Sequence, residues 1–282
     1  MRMAWLGVLC LLATGVAWGA RGSAAEQQIE ASLDVSGSLA VDETGNVTSH
    51  TIDHPEQLSP GVVDLVGKTL STLHFRPVLR DGQPHAVVAK MNLVLVANHV
   101  DPQNVSIRIR SARFTDSEPP ASERISIRSK APDRLMAHAA MIAGVGGTVY
   151  VAFRIDRNGR VIEAQAQQVN LRVVAGEKQM RRWREELAKP TLATVRKYTF
   201  TIPTSGPHTD DAEFTGVLPV MFMLDGQALP QYGQWRSYVP GPRQHIAWID
   251  DKEDTSASEA VPAGTFAQAG TALKLLTPLG DG

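Results

Sequence analysis

Val149-Tyr-Val-Ala-Phe-Arg-Ile-Asp156-Arg-Asn-Gly159-Arg-Val161 carries the clearest secondary-structure signal in this chain. Apolar side chains alternate with a period of two from residue 149 to residue 155, which is typical of a β-strand with one buried face. In the Asp-x-x-Gly-x-Val segment that follows, glycine supplies the positive φ of a tight turn, and the β-branched valine favours a new strand. The stretch therefore predicts a β-hairpin.

The same pattern occurs 114 residues earlier in the chain. An apolar alternation from Leu33 to Val41 leads into Asp42-Glu-Thr-Gly45-Asn-Val47, which is a second Asp-x-x-Gly-x-Val segment. Self-similarity at a fixed spacing indicates an internal repeat. The sequence therefore predicts two divergent copies of one small unit.

Each predicted hairpin is followed by a helical pattern. In the first copy, Ser59 suits the N-cap and Pro60 suits the first helical position. In the second copy, Pro190 is expected to kink or divide the helix. Apolar residues in each copy are spaced by three or four, as on one face of a helix. They are Val62, Val66, Leu70 and Leu73 in the first copy, and Met180, Trp183 and Leu187 in the second.

Each helix is followed by an aromatic residue, a proline and a final strand, at 87–96 in the first copy and 217–224 in the second. The order of elements is thus β-β-α-β, twice. We expect an α+β fold in which small antiparallel sheets pack on helices. A short helix capped by Asp133 is predicted ahead of the second copy only.

The N-terminus predicts export. Arg2 precedes an apolar run that ends in small residues, which is the order of a secretory signal peptide at residues 1–25. The alternative is an uncleaved inner-membrane anchor, because the apolar run is close to the shortest length that spans a bilayer. Cys10 is the only cysteine and lies in this segment. An exported chain that is otherwise free of cysteine is typical of the bacterial periplasm, and it has no thiolate metal site.

The chain divides by composition into five segments. The tail is rich in glycine, proline and alanine, so we expect it to be partly disordered, from Asp250 onward. The predicted segments are a signal peptide at 1–25, a first unit at 29–97, a connector with two candidate strands at 98–130, a second unit at 131–224 and a tail at 225–282.

The ordered set of motifs resembles the C-terminal domain of TonB, the energy transducer that spans the periplasm of Gram-negative bacteria. Phe75-x-Pro77-x-x-x-Asp81-Gly82-x-Pro84 follows the first helix, and Ile155-Asp156-x-x-Gly159-x-Val161 precedes the second. The chain departs from that family in four places. The first copy has no leading helix, and the second copy lacks the Asp-Gly turn after its aromatic-proline exit. Leu135-Met136 replaces a Tyr-Pro pair, and no long proline-rich linker follows the N-terminus.

The resemblance implies a mode of contact, in which a sheet edge takes up an extended peptide segment of an envelope protein. In such β-augmentation, main-chain hydrogen bonds supply affinity and alternate side chains supply selectivity. The last strand of the second copy is the candidate edge, and Pro219 suits an edge because it lacks one donor. The alternative is that both edges are already occupied, by pairing between the two units, by a homodimer or by a strand from the tail. The candidate partner-binding residues are Val217, Leu218, Val220, Phe222 and Leu224.

The sequence predicts no enzymatic activity, cofactor or metal site. The eight histidines are scattered, and neither a nucleophile elbow nor a phosphate-binding loop is present. A formal net charge of -1 gives no overall field that favours nucleic acid. The arginines of the connector, such as Arg108 and Arg110, are expected to lie on a solvated strand face, with an acidic partner or anionic lipid as the alternative.

Three functional hypotheses follow from these observations. The first is a periplasmic module that binds an envelope protein or peptide through a sheet edge. The second is a TonB-like energy-transducer component for outer-membrane transport, held at the inner membrane by an uncleaved N-terminal helix and facing the periplasm. The third is a structural accessory protein of the Gram-negative envelope.

Overall fold

The computed structural model describes residues 29–80, 82–99, 105–116, 120–130, 144–224, 226, 230–249 and 258–279. The expected signal peptide at 1–25 and the short helix expected ahead of the second copy lie outside these residues. Within the described part of the chain, neither α-helix combines the length and the apolar character that crossing a membrane requires.

The described part of the chain contains two α-helices and thirteen strands, and every named strand pair is antiparallel. The mixed α+β class with small antiparallel sheets is therefore confirmed. In chain order the elements are β1 (Glu30–Val41), β2 (Val47–Ile52), α1 (Pro60–Leu70), β3 (Val78–Arg80), β4 (Gln83–His85), β5 (Val87–His99), β6 (Val105–Asp116), β7 (Ser126–Ser129), β8 (Gly147–Asp156), β9 (Val161–Leu171), α2 (Glu177–Val195), β10 (Thr199–Thr201), β11 (Glu213–Phe222), β12 (Arg236–Tyr238) and β13 (Ala267–Gln268).

Two larger sheets share one arrangement of strands. The first sheet has the order β12-β1-β5-β6, with β2 also paired to β1, and the second has the order β13-β11-β8-β9. In the first sheet, β1 lies between its hairpin partner β2 and the last strand of the unit, β5. In the second sheet, β8 lies between its hairpin partner β9 and the last strand of the unit, β11. Each of these last strands, β5 and β11, then has a further strand on its outer side. That strand is β6 from the connector in the first sheet and β13 from the tail in the second.

Each helix covers one face of its sheet. Val62, Val66 and Leu70 of α1 are buried with the inward residues of β1 and β5, and Met180, Leu187 and Val195 of α2 are buried against the second sheet. The helix is not divided at Pro190, because α2 runs unbroken through it from Glu177 to Val195. Burial of the apolar stripe on both sides of Pro190 outweighs the hydrogen bond that proline cannot donate.

The two Asp-x-x-Gly turns have the same hydrogen bonds. Asp42 Oδ1 accepts from the backbone N–H groups of Thr44 and Asn46, each at 2.9 Å. In the second turn, Asp156 Oδ1 accepts from the backbone N–H groups of Asn158 at 2.9 Å and Arg160 at 2.8 Å. The carboxylate of each aspartate thus closes its turn by satisfying two main-chain donors.

These two carboxylates predict a specific loss of stability in acid. The hydroxyl of Thr44 and then the N–H of Asn46 lower the pKa of Asp42 below its ordinary value of 3.8, and the N–H of Arg160 does most to lower the pKa of Asp156. A lowered pKa means that the contribution to stability is complete above the ordinary value and is lost as the pH falls through the lowered one. We therefore expect an Asp42→Asn, Asp156→Asn variant to melt below the wild type at about pH 7, with a difference that narrows toward about pH 2.

Thermal unfolding followed by circular dichroism at several pH values measures this difference. The matched control is Glu43→Gln, because Glu43 is an exposed carboxylate of the first turn, and it should melt with the wild type throughout. A difference between the double variant and the wild type that is constant across the pH range would contradict this role for the two aspartates.

The tail crosses between the two sheets rather than extending away from them. β12 pairs with β1 of the first sheet, and β13 pairs with β11 of the second. The chain then returns to the first sheet, where the N–H of Leu273 donates to the carbonyl of Phe114 at 2.7 Å. Residues 258–279 are thus packed although their composition favours disorder, because a few apolar side chains such as Leu275 enter the cores. Residues 250–257 lie outside the described residues.

Candidate binding edge and the segment that covers it

The tail covers part of the outer edge of β11. On its inner side, β11 pairs with β8 from Glu213 to Phe222. On its outer side, Gly216 and Val217 pair with Gln268 and Ala267 of β13. Two flanking main-chain bonds extend this contact: Ala269 N–H donates to Thr215 O at 2.9 Å, and Gly264 N–H donates to Pro219 O at 2.8 Å. The edge is therefore occupied by the chain itself from residue 215 to residue 219.

The side chains named from the sequence as partner-binding residues lie on both faces of β11. Leu218, Val220 and Phe222 pack in the core between the second sheet and α2. Val217 points to the opposite face, where it is buried with Ile246 and Ile249 of the tail, and Leu224 follows the end of β11. These side chains hold the sheet to its neighbours, so an incoming strand would contact main-chain atoms of the edge.

Pro219 lies at a position where its missing N–H does not disturb the sheet. The carbonyls of Thr215 and Pro219 both accept bonds from the tail, so the main chain of the odd-numbered residues faces the outer edge. The missing donor of Pro219 therefore faces away from β8. A proline in this register is what an edge strand tolerates.

A side chain of the tail fills a pocket beside the edge. The ring of Phe266 lies 5.6 Å from that of Phe153 and 5.2 Å from that of Phe200, measured between centroids. The pocket depends on Gly216, since a Cβ placed there would lie 2.0 Å from Cε2 of Phe266. The covering segment thus combines main-chain pairing with an aromatic anchor.

The corresponding edge of the first sheet is covered more completely. There β6 pairs with β5 from Ala89 to His99, whereas β13 contains only two residues. The outer edge of β5 is therefore paired over most of its length, whereas the outer edge of β11 is paired over only a few residues.

The arginines of the connector are not all on a solvated face, which corrects the expectation from sequence. Arg113 is only 5% exposed and donates to the carbonyl of Gln268 at 2.8 Å and to Thr271 Oγ1 at 3.2 Å. Arg110 forms ion pairs with Glu30 and Glu259. Their acidic and carbonyl partners are distant in sequence, so charge patterning within the connector did not reveal them.

The sequence left open that a strand from the tail occupies an edge, and β13 does so at β11. The tail residues that form this contact were not identified, because glycine and alanine dominate the composition of the tail. A usable signal was present in Gly264-Thr-Phe266-Ala-Gln268, where a lone aromatic residue stands in an extended segment next to alternating small residues. In an otherwise disordered tail, an isolated phenylalanine often marks a point of anchorage.

Across the described ranges, no group of three or more histidine, cysteine, aspartate or glutamate side chains is arranged to hold a metal ion. His54 lies beside Glu56, with Nδ1 and Oε1 3.4 Å apart, and both side chains are exposed. His50 and His54 stand four apart in the sequence, and within the described residues they form no metal-binding group with a carboxylate.

No family model, curated protein or solved structure matches this chain. The assignment of a function therefore depends on the geometry of the edge and of the segment that covers it, together with the patterns in the sequence.

Proposed function

We propose that this protein is a periplasmic binding module that takes up an extended peptide segment of an envelope protein at the outer edge of β11. One observation carries the proposal. The segment 264–269 already occupies that edge, with main-chain hydrogen bonds to Thr215 and Pro219 and an aromatic side chain seated beside Gly216. These are the two kinds of contact that β-augmentation uses.

The resident segment is short enough to be exchanged. Each of its main-chain bonds contributes a net of about 1 kcal/mol, and β13 ends before it reaches Met221. Met221 lies in the same outward register as Thr215 and Pro219. A partner strand that continues past Pro219 can therefore pair with more of the edge than the tail does, which gives it an advantage over the resident segment.

The resemblance to the TonB C-terminal domain and the export signal both support this proposal. The resemblance implies edge binding to an envelope protein, and the signal at residues 1–25 directs the chain to the periplasm. In this proposal the two β-β-α-β units are TonB-like and have diverged, with the second retaining the exchangeable edge.

A structural role in the envelope is the second candidate, and one observation favours it. β6 covers β5 and β13 covers β11, so the chain supplies an outer neighbour to the last strand of each unit. Under this alternative the tail is a permanent part of the fold and is not exchanged.

A labelled peptide with the sequence of residues 262–271 separates the two candidates. We expect a Phe266→Ala variant to bind this peptide at least roughly tenfold more tightly than the wild type. The reason is that the loss of an aromatic anchor packed against the second core weakens the resident competitor by more than about 1.4 kcal/mol. Fluorescence anisotropy of the peptide, titrated with full-length protein, measures the Kd.

Three controls sharpen this test. Leu276→Ala alters a tail residue that is 51% exposed and should bind as the wild type does, and a peptide with alanine in place of its phenylalanine should not bind. Ala269→Pro removes the donor to Thr215 while leaving Phe266 in place, and it should also increase binding. If both tail variants are folded by circular dichroism and neither binds the peptide saturably, the edge is not exchangeable and the structural role is favoured.

A further inference from the structure

A cavity of about 290 Å³ lies between the two sheets, on the faces that the helices do not cover. Its walls come from β1 and β5 of the first sheet, from β8 and β11 of the second, and from the tail. At about 30 Å³ per water molecule, the cavity has room for a small organic molecule of roughly ten heavy atoms. Most of its lining surface is apolar, with a few charged and hydroxyl side chains among the lining residues, so it is suited to a small molecule with an apolar body and polar ends.

Arg172 supplies this cavity with a cation that has no anionic partner among the described residues. Its Nη1 lies 3.0 Å from Sδ of Met223 and its Nη2 lies 3.4 Å from Sδ of Met221. Thioether sulfur is a weak acceptor. Burial, and secondly the charge of Arg236, lower the pKa of Arg172, which is the expected effect of a half-buried guanidinium without a carboxylate.

Glu259 supplies the cavity with an acceptor. Its side chain is only 6% exposed, and Oε2 accepts from Nε of Arg110 at 3.2 Å. The other oxygen, Oε1, is buried and has no hydrogen-bond partner within the described part of the chain. A buried carboxylate oxygen without a donor is costly, so this atom is suited to a donor from a ligand.

Tyr150 adds a hydroxyl group to the same lining. Burial, followed by the charges of Glu259 and Asp34, raises the pKa of Tyr150, so the hydroxyl stays protonated and can donate. Tyr150 lines the same cavity as Arg172 and Glu259. Arg172, Glu259 and Tyr150 therefore contribute three polar groups to one cavity.

The charges of the lining indicate which ligand fits. Arg236 forms an ion pair with Asp34, and Glu259 is paired with Arg110 through Oε2 only. The remaining positive and negative groups are therefore the guanidinium of Arg172 and the second carboxylate oxygen of Glu259, Oε1. Because these charges are opposite, a dianion such as phosphate gains at one site and is repelled at the other. A molecule that has no net charge but carries one positive and one negative group is attracted at both sites.

We propose that the cavity binds a small zwitterion of the α-amino acid class. The guanidinium of Arg172 receives the carboxylate, for which its planar fork is suited, and Glu259 receives the ammonium group, with Tyr150 as an additional hydrogen-bonding group. The site adjoins the peptide edge of β11, because Pro219, Met221 and residues 259–263 of the tail also line the cavity, and it is formed with the tail in its resident position.

Isothermal titration of the full-length protein tests this assignment. The panel consists of the common L-amino acids, with propionate and ethylammonium as the two halves of L-alanine, and inorganic phosphate. We expect at least one amino acid to bind, and the half-molecules and phosphate to bind at least roughly tenfold more weakly, because each loses one charge-assisted contact.

Variants of the lining residues test which side chains bind the amino acid. Arg172→Met should weaken binding roughly tenfold or more, and so should Glu259→Gln. Arg128→Met, an exposed arginine outside the cavity, should bind as the wild type does. Tyr150→Phe removes only a hydroxyl and should weaken binding severalfold, so it keeps the test decisive if a charge variant fails to fold.

Three results would overturn the proposal. They are the absence of binding by every amino acid in the panel, binding of phosphate or propionate as tight as that of the best amino acid, and undiminished binding by folded Arg172→Met or Tyr150→Phe. Peptide capture is measured with a different probe, the labelled peptide, so none of these results decides it.

Discussion

A Gly159→Ala variant is expected to lose about 3 kcal/mol of unfolding free energy. Gly159 has a φ of +75°, and a Cβ there would lie 2.0 Å from the carbonyl oxygen of Phe200 and 3.0 Å from its carbonyl carbon. Both contacts are with main chain, which cannot rotate away as a side chain can. The clash also separates the partners of the bond from Phe200 N–H to Gly159 O, which is 2.8 Å long.

Urea denaturation of the variant and the wild type measures this loss. The matched control is Gly270→Ala, since Gly270 has a φ of +77° but open space where its Cβ would lie. It should lose only about 1 kcal/mol, the contribution of the left-handed backbone alone. Equal losses for the two variants would show that the approach of Phe200 to the turn is unimportant.

A Phe153→Ala variant is expected to lose about 3–5 kcal/mol of unfolding free energy. The side chain of Phe153 has no exposed surface, and its ring contacts Phe200 at 5.3 Å and Phe266 at 5.6 Å between centroids. Truncation therefore leaves a cavity where β8, β10 and the tail meet. It also removes one wall of the pocket for Phe266, so the variant should not bind the tail peptide tightly.

Chemical denaturation and the peptide titration together check this expectation. Ile162→Ala, at a position that is 48% exposed in β9, should change stability by less than about 0.5 kcal/mol. Phe153→Leu, which keeps most of the apolar volume, should lose less than Phe153→Ala. A loss below about 1 kcal/mol for Phe153→Ala, or a gain in peptide binding, would contradict the arrangement of the three rings.

The two hairpins and both helices were predictable because their signals are local. The turn at Asp42 is closed by main-chain donors two and four residues away, and the apolar stripe of α1 repeats every three or four residues. Such interactions involve neighbouring residues, so their pattern can be read directly from contiguous sequence. The pairing of β8 with β9 in the second sheet followed from the same logic, because these two strands form a hairpin.

The side chains of the candidate edge were harder to place. A strand with one buried face alternates apolar and polar residues, but Val217 and Leu218 are adjacent and both apolar, which is typical of a strand covered on both faces. α2 covers one face of β11, and Ile246 and Ile249 cover the other. The pair of adjacent apolar residues could be read from the sequence, but the sequence did not show that Ile246 and Ile249 cover the second face.

By itself, the sequence determined the α+β class, the hairpin turns and the helices, and it identified β11 as the last strand of the second unit. Only the tertiary structure decided that the tail covers β11, that Phe266 enters the second core, and that Arg172, Tyr150 and Glu259 surround one cavity. The physical reason is the separation of the partners along the chain. Arg113 meets Gln268 and Phe153 meets Phe266, and such contacts form only after long loops close. Their energy depends on the packed arrangement of both sheets, so no local pattern encodes it.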